Sequence, residues 1–145
     1  MIIFRKVHEE ELAVIADIEK RVMPQPWSLS SFKTAFDSQS GSIYVAIDDT
    51  CDTIAGFVVI YIAADEGEIP DVVVDFGYRR QGIAQRLLLY VFEQNQELTS
   101  VFLEVRESNK AAKKLYSKLG FSQIGIRKNF YINPVENAIC MSLHK

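Results

Sequence analysis

The chain has 145 residues, 48% of them hydrophobic and 24% charged, and a net charge of −3. That length fits one domain spanning residues 1–145 with a core of its own and leaves no room for a second. The acidic balance speaks against a protein whose main task is to coat nucleic-acid phosphates, and no apolar run approaches membrane-spanning length.

Ile2 to Val7 reads as a first strand. From His8 to Met23, Leu12, Ile15, Ile18 and Val22 recur at helical spacing until Pro24-Gln25-Pro26 stops the pattern. Ser28 can cap a second helix running to about Gln39, with Trp27 and Phe32 placed as a hydrophobic staple. Ser42 to Ile47 and Ile54 to Ala64 read as hairpin strands around Asp48-Asp49-Thr50-Cys51-Asp52, and Glu68 to Asp75 as a valine-rich strand. The period then changes: Ile83, Ala84, Leu87, Leu88, Val91 and Phe92 mark a helix predicted to begin near Arg80. Val101 to Arg106 is a strand. Ser108 or Asn109 caps a last helix with Ala112, Leu115, Tyr116 and Leu119 on one face, closed by Gly120. Phe121 to Tyr131 and Ala138 to Leu143 supply two final strands around Asn133-Pro134. The order β-α-α-β-β-β-α-β-α-β-β predicts an α/β fold, a mixed sheet with helices on both faces, with parallel strands where a helix intervenes and antiparallel ones in the hairpins.

The first residues, Met1-Ile2-Ile3-Phe4-Arg5-Lys6, lack the pattern of a secretory signal, so a cytoplasmic protein is expected. Cys51 and Cys140 have neither the number nor the spacing of a disulfide framework or zinc site and read as reduced turn and strand residues. His8 and His144 lie near the termini without ligand partners, so no metal site is expected.

The candidate chemistry begins after Val72-Val73-Val74-Asp75, where Arg79-Arg80-Gln81-Gly82-Ile83-Ala84 opens a helix. Helix starts expose unpaired N–H groups and carry partial positive charge, which suits a pyrophosphate; a tight turn into the helix explains Gly82 equally well. Neither G-x-G-x-x-G nor a P-loop is present. Arg79, Arg80 and Arg86 form a basic knot downstream of Asp65, Glu66, Glu68 and Asp71, compatible with an anionic cofactor meeting a cationic substrate, or with a solvated surface. Pro70 cannot donate a ladder hydrogen bond. Either it starts its strand, or pairing loosens there and frees the backbone of Val72 to Val74 for an extended ligand. Strand alternation puts Glu104 on one face with Phe102 and Arg106. A partly shielded carboxylate there could accept a proton, whereas a solvated or Arg-paired charge is the plainer reading. Tyr116 reads as a core residue with its hydroxyl at the rim.

Over its whole length the chain resembles the GNAT N-acetyltransferase superfamily, and within it the bacterial ribosomal-protein alanine N-acetyltransferases of the RimI type. The resemblance is carried by Leu103-Glu104-Val105-Arg106-Glu107-Ser108-Asn109 with Ala112, Leu115-Tyr116 and Leu119-Gly120-Phe121. Arg79 to Ala84, Pro26-Trp27-Ser28, and Arg127 to Tyr131 with Glu136-Asn137-Ala138 add to it. It implies acetyl-CoA as cosubstrate, no metal, and a protein N-terminus or small amine as acceptor. Val72, Val73 and Val74 would then meet the acetyl-pantetheine arm, Arg79, Arg80, Gln81, Gly82, Ile83, Ala84 and Gln85 the pyrophosphate, and Asn109 the cofactor from the last helix. Glu104 would be the general base and Tyr116 the general acid. Pro70-Asp71 stands where related enzymes often carry an apolar residue and Asn, and Asn137 where they carry Asp. A small-amine acetyltransferase and a non-catalytic acyl-CoA-binding module are the alternatives; the module needs neither Glu104 nor Tyr116.

Overall fold

The apolar spacing becomes structure largely as predicted in a computed structural model that describes residues 1–145. The elements are β1 (Ile2–Lys6), a 3-10 turn (Glu9–Glu11), α1 (Leu12–Val22), α2 (Leu29–Asp37), β2 (Gly41–Asp48), β3 (Thr53–Ala63), β4 (Glu66–Val74), a second 3-10 turn (Phe76–Tyr78), α3 (Ile83–Gln94), β5 (Ser100–Arg106), α4 (Lys110–Lys118), β6 (Ser122–Tyr131) and β7 (Glu136–His144). The strands form one sheet in the order β1-β2-β3-β4-β5-β7-β6. Only β4 and β5, joined through α3, run parallel; every other neighbouring pair is antiparallel, because a helical crossover returns the chain in the same direction and a hairpin reverses it.

Each face has its own core. On one, α1 and α2 bring Leu12, Ile15, Ile18, Phe32 and Ala35 onto Val45, Phe57, Val59 and Val73. On the other, α3 and α4 bring Leu87, Leu88, Val91 and Tyr116 onto Val58, Ile60, Val101, Leu103 and Met141. The predicted caps form. Ser28 accepts from the Ser31 N–H at 3.1 Å, and Trp27 lies 5.3 Å from Phe32, centroid to centroid. After α4, Gly120 takes φ +104°. Its N–H donates to Ser117 O, and that of Phe121 to Tyr116 O, at 3.0 and 2.9 Å, the double bond of a Schellman ending.

Three helix boundaries shift by two residues or more, and strand ends move by up to two. The first helix loses its opening turn to a 3-10 segment, because Glu11 takes the His8 N–H at 2.8 Å and both Arg5 guanidinium nitrogens at 2.9 Å. The second ends at Asp37 rather than Gln39. The third starts at Ile83 rather than near Arg80, because Arg80 and Gly82 sit at φ +64° and +69°, outside the helical region. No helix is long and apolar enough to cross a membrane.

Candidate active site

The site is organised by a break between β4 and β5. They pair from Glu66↔Ser100 to Ile69↔Leu103 and no further. At the same place the β3–β4 register slips: Val59 faces Asp71 and Tyr61 faces Glu68, so Ile69 and Pro70 together oppose the single Ile60. This is a β-bulge at the residue that has no N–H to donate, and it is the loosening that Pro70 suggested. Beyond it β4 keeps only β3. The Asp75 N–H donates to Ala55 O at 2.9 Å, so by antiparallel alternation Val73 also turns its backbone groups to β3, while Val72 and Val74 turn theirs into the gap. Val73 is further committed by its side chain, 2% exposed in the core under α1 and α2.

The loop from β4 to α3 is fastened at its start. Asp75 takes a bidentate pair from Arg21 at 2.9 and 3.2 Å and the Phe76 N–H at 2.8 Å; the Arg21 contact, first, holds its carboxyl below the usual range. Tyr78 donates to Asp48 at 2.9 Å. From there to the helix, every N–H from Arg79 to Gln85 lacks an acceptor within the protein, and the first bond of the turn is Arg86 N–H to Gly82 O at 3.1 Å. A Cβ added at Gly82 would meet nothing within 4 Å, so it is the left-handed φ, not crowding, that calls for glycine there. The knot of arginines is divided. All three are exposed, but Arg79 stacks on Phe76 at 4.3 Å and Arg86 on Phe4 at 5.2 Å, whereas Arg80 lies over no ring.

Val101, Leu103 and Val105 of β5 point into the core under α3 and α4, which turns Phe102, Glu104 and Arg106 to the opposite face. Tyr116 belongs to the α3/α4 core. The two predicted catalytic residues therefore sit on opposite faces of the sheet. Glu104 is ion-paired: its Oε2 lies 3.0 Å from Arg127 Nε, with the arginine side chain 62% exposed. The Arg-paired reading of this residue is thus the resting geometry. Burial, first, raises the Tyr116 phenol well above its usual range, with smaller contributions from Asp71 and Tyr131. Tyr131, half-buried, is pushed up to about 12 by burial and then by Glu104; it shares an electrostatic neighbourhood with both predicted catalytic groups.

Asn109 caps α4, its Oδ1 accepting from the Ala112 N–H at 3.1 Å, which leaves its amide nitrogen as the free end. On the Glu104 face beside the gap runs an arch that the sequence did not point to. The Gln25 Oε1 accepts from Arg106 Nη2 at 3.1 Å and from the Ile132 N–H at 2.7 Å. Arg106 also donates to Pro134 O, Ile132 O and Glu136, and lies 4.6 Å over the Tyr131 ring. Glu136 in turn accepts from the Ser108 N–H, and its pKa is lowered first by the Ser108 side chain and then by that N–H and by Arg106. The loop between α1 and α2 is thereby tied to the β6–β7 hairpin. Of the upstream acidic residues, Asp65, Glu66 and Glu68 are exposed while Asp71 is 5% exposed, so they do not form one solvated patch. Its counterpart in burial is Glu19 at 1%, and the available signal was its place on the apolar stripe of α1, four residues after Ile15.

Residues 12–121 match the Acetyltransferase (GNAT) family. The chain belongs to that family. It is an acetyl-CoA-dependent N-acetyltransferase. It is 34% identical over 142 residues to the ribosomal protein bS18-alanine N-acetyltransferase of Haemophilus ducreyi, covering 94% of this chain and 95% of the relative. Its fold is similar to the crystal structure of the Escherichia coli ribosomal-protein-S18-alanine N-acetyltransferase, with a TM-score of 0.91, 29% identity, and coverage of 99% and 94%. Arabidopsis thaliana NAA60, solved in complex with acetyl-CoA, shares the fold at a TM-score of 0.89 and 19% identity, with full coverage of both chains, 100% each. The residues present fit such a cosubstrate: a GNAT chain with unpaired N–H groups from Arg79 to Gln85 and an unpaired β4 edge has donors for both the pyrophosphate and an extended pantetheine arm.

Proposed function

We propose that the chain acetylates the N-terminal α-amine of a protein, a ribosomal protein being the favoured class of acceptor, with Glu104 as base and Tyr116 as acid. The observation that carries the reading is the gap between β4 and β5. It opens at Ile69↔Leu103, so Glu104 is the first outward-facing β5 residue beyond the last paired position. The bS18-alanine acetyltransferases at 34% and 33% identity support a peptide N-terminus as acceptor. The arch of Gln25 and Arg106 supports it too, because it gives that side of the gap a polar wall.

Bound acetyl-CoA supplies the activated thioester. Val72 and Val74 pair with its extended arm, Arg79 to Gln85 bind the pyrophosphate, and the free amide of Asn109 adds a contact from α4. An arriving ammonium displaces the exposed Arg127 guanidinium, an inexpensive exchange for a surface pair. Glu104 then takes the ammonium proton, directly or through water, leaving a neutral amine to attack the carbonyl carbon. The free backbone N–H of Val74 faces the negative charge that builds on the carbonyl oxygen. Tyr116, which its burial keeps protonated, gives its proton to the departing sulfur; the second proton that the nitrogen sheds as the amide forms restores the phenol through water, and Glu104 passes its own to solvent.

The test is a panel of short peptides with different N-terminal residues, incubated with acetyl-CoA while thiol release is followed. Turnover is expected with at least one peptide, an alanine-initiated ribosomal sequence foremost. Turnover with polyamines alone would overturn the acceptor, and tight acetyl-CoA binding without turnover on any amine would overturn catalysis.

A further inference from the structure

Next to the break in β4 lie two carboxyl groups that acetyl transfer does not use. Glu19 of α1 and Asp71 of β4 are 1% and 5% exposed and stand within hydrogen-bonding reach of each other. Glu19 Oε2 accepts from the Trp27 N–H at 2.9 Å, whereas Glu19 Oε1 and Asp71 Oδ2 are buried without any donor. No lysine, arginine or histidine pairs with either. The groups that face them are the Trp27 N–H from the α1–α2 loop, the Val72 N–H from β4, and, farther off on α4, the Tyr116 phenol. None is a cation. Two adjacent buried carboxylates with no counter-charge repel each other and each forfeit hydration. One proton between them changes both terms: a carboxylic acid is a donor, and its neighbour becomes the acceptor it lacks.

What the pair joins gives it a task. Asp71 is the last β4 residue before the free edge at Val72. Glu19 holds the N–H of Trp27, which follows the Pro24-Gln25-Pro26 arch, and Gln25 crosses to Arg106 and Ile132. We propose that Glu19 and Asp71 share a single proton, and that this acid–carboxylate pair is a positioning device fixing the arch over the acceptor side of the gap, so that acceptor binding is lost when the proton leaves. The arch's part in acceptor binding rests on the peptide-acetylation reading above; the shared proton does not.

Burial, first, and then Glu19 raise the Asp71 carboxyl to about 9. The folded chain thus holds this proton more tightly than the unfolded one, whose aspartate titrates near ~3.9. The stability contributed by the pair is therefore full below about pH 4 and is lost as pH rises to about 9. D71N replaces the proton with a permanent amide donor and removes that dependence.

Two measurements decide the matter. In the wild-type chain, carbon-13 titration of the side-chain carboxyls is expected to show one resonance, absent from D71N, that changes near pH 9; if every carboxyl titrates below about pH 6, the shared proton is overturned. Steady-state rates on whichever peptide the panel yields should then show wild-type kcat/KM falling about tenfold per pH unit above about pH 9 relative to D71N, through acceptor KM, with acetyl-CoA KM unmoved. D71A, with neither donor nor acceptor, should raise acceptor KM at every pH, and D71N should rescue it. The same alkaline fall in D71N, or a fall carried by acetyl-CoA KM, would overturn the positioning role. If no peptide turns over, the acetylation reading fails on its own, while the titration and the pH dependence of wild-type minus D71N stability still decide the proton.

Discussion

β3 carries Phe57, Val58, Val59 and Ile60 in succession, each 0% exposed, whereas β6 is exposed along its length except at Gly125 and Tyr131. Between these extremes β5 alternates, with Val101, Leu103 and Val105 buried and their neighbours half-buried. The cause is what lies over each face. α1 and α2 cover one side of β1 to β4 and α3 the other, while the Glu104 face of β5 to β7 has no helix upon it. A strand covered twice must be apolar at every position, and a strand covered once only at alternate positions. On the proposed reading of the site, the two substrates therefore meet different kinds of protein. The donor side is braced by a double core and by Arg21–Asp75 and Tyr78–Asp48. The acceptor side is an uncovered sheet face, walled by side-chain hydrogen bonds from Gln25 and Arg106, which are easier to rearrange around a variable peptide than a packed core is.

Substitutions can break or sharpen this contrast. Glu104→Gln on the open half should cut turnover about 10²–10⁴-fold while leaving acetyl-CoA affinity and the denaturation midpoint nearly unchanged; an unaltered rate across pH would remove Glu104 as base. Phe57→Ala in the doubly covered half should cost about 3–5 kcal/mol of stability, read from denaturant unfolding. A loss much below that would mean the donor-side core is no more tightly built than the acceptor side. Gly82→Ala should cost about 1–2 kcal/mol because a Cβ disfavours left-handed φ. Calorimetric titration should show weaker acetyl-CoA binding, and undisturbed binding would separate this turn from the cofactor. Ile126→Ala on β6, where the side chain is 49% exposed, should stay within about 0.5 kcal/mol. A larger loss would reveal that the open half is covered by something after all.

Much of the framework could be read from the residues. The stripe Leu87, Leu88, Val91 announced α3, Ser28 its helix cap and Gly120 a left-handed ending; of two readings each, the structure takes Asn109 over Ser108 as the last cap and, at Pro70, loosened pairing over a strand start. Where prediction slipped, a specific contact intervened. Arg80 carries no mark of positive φ, so α3 was started too early. Asp71 reads with the exposed acids because Asp65, Glu66 and Glu68 precede it, although in space its partner is Glu19 of α1. Arg106 and Gln25 are 81 residues apart, and nothing local to either tells of the other.

By itself the sequence determined the elements, their order and the local chemistry of each turn, because helix stripes, caps and proline constraints act over a few residues. Tertiary structure alone decided that β4 and β5 part after Leu103, that Glu104 and Tyr116 lie on opposite faces of the sheet, that Arg127 rests on Glu104, and that Glu19 meets Asp71 away from water. Each is an encounter between residues distant along the chain. Its energy comes from burial and from charges brought close, and neither exists until the sheet has closed on its helices.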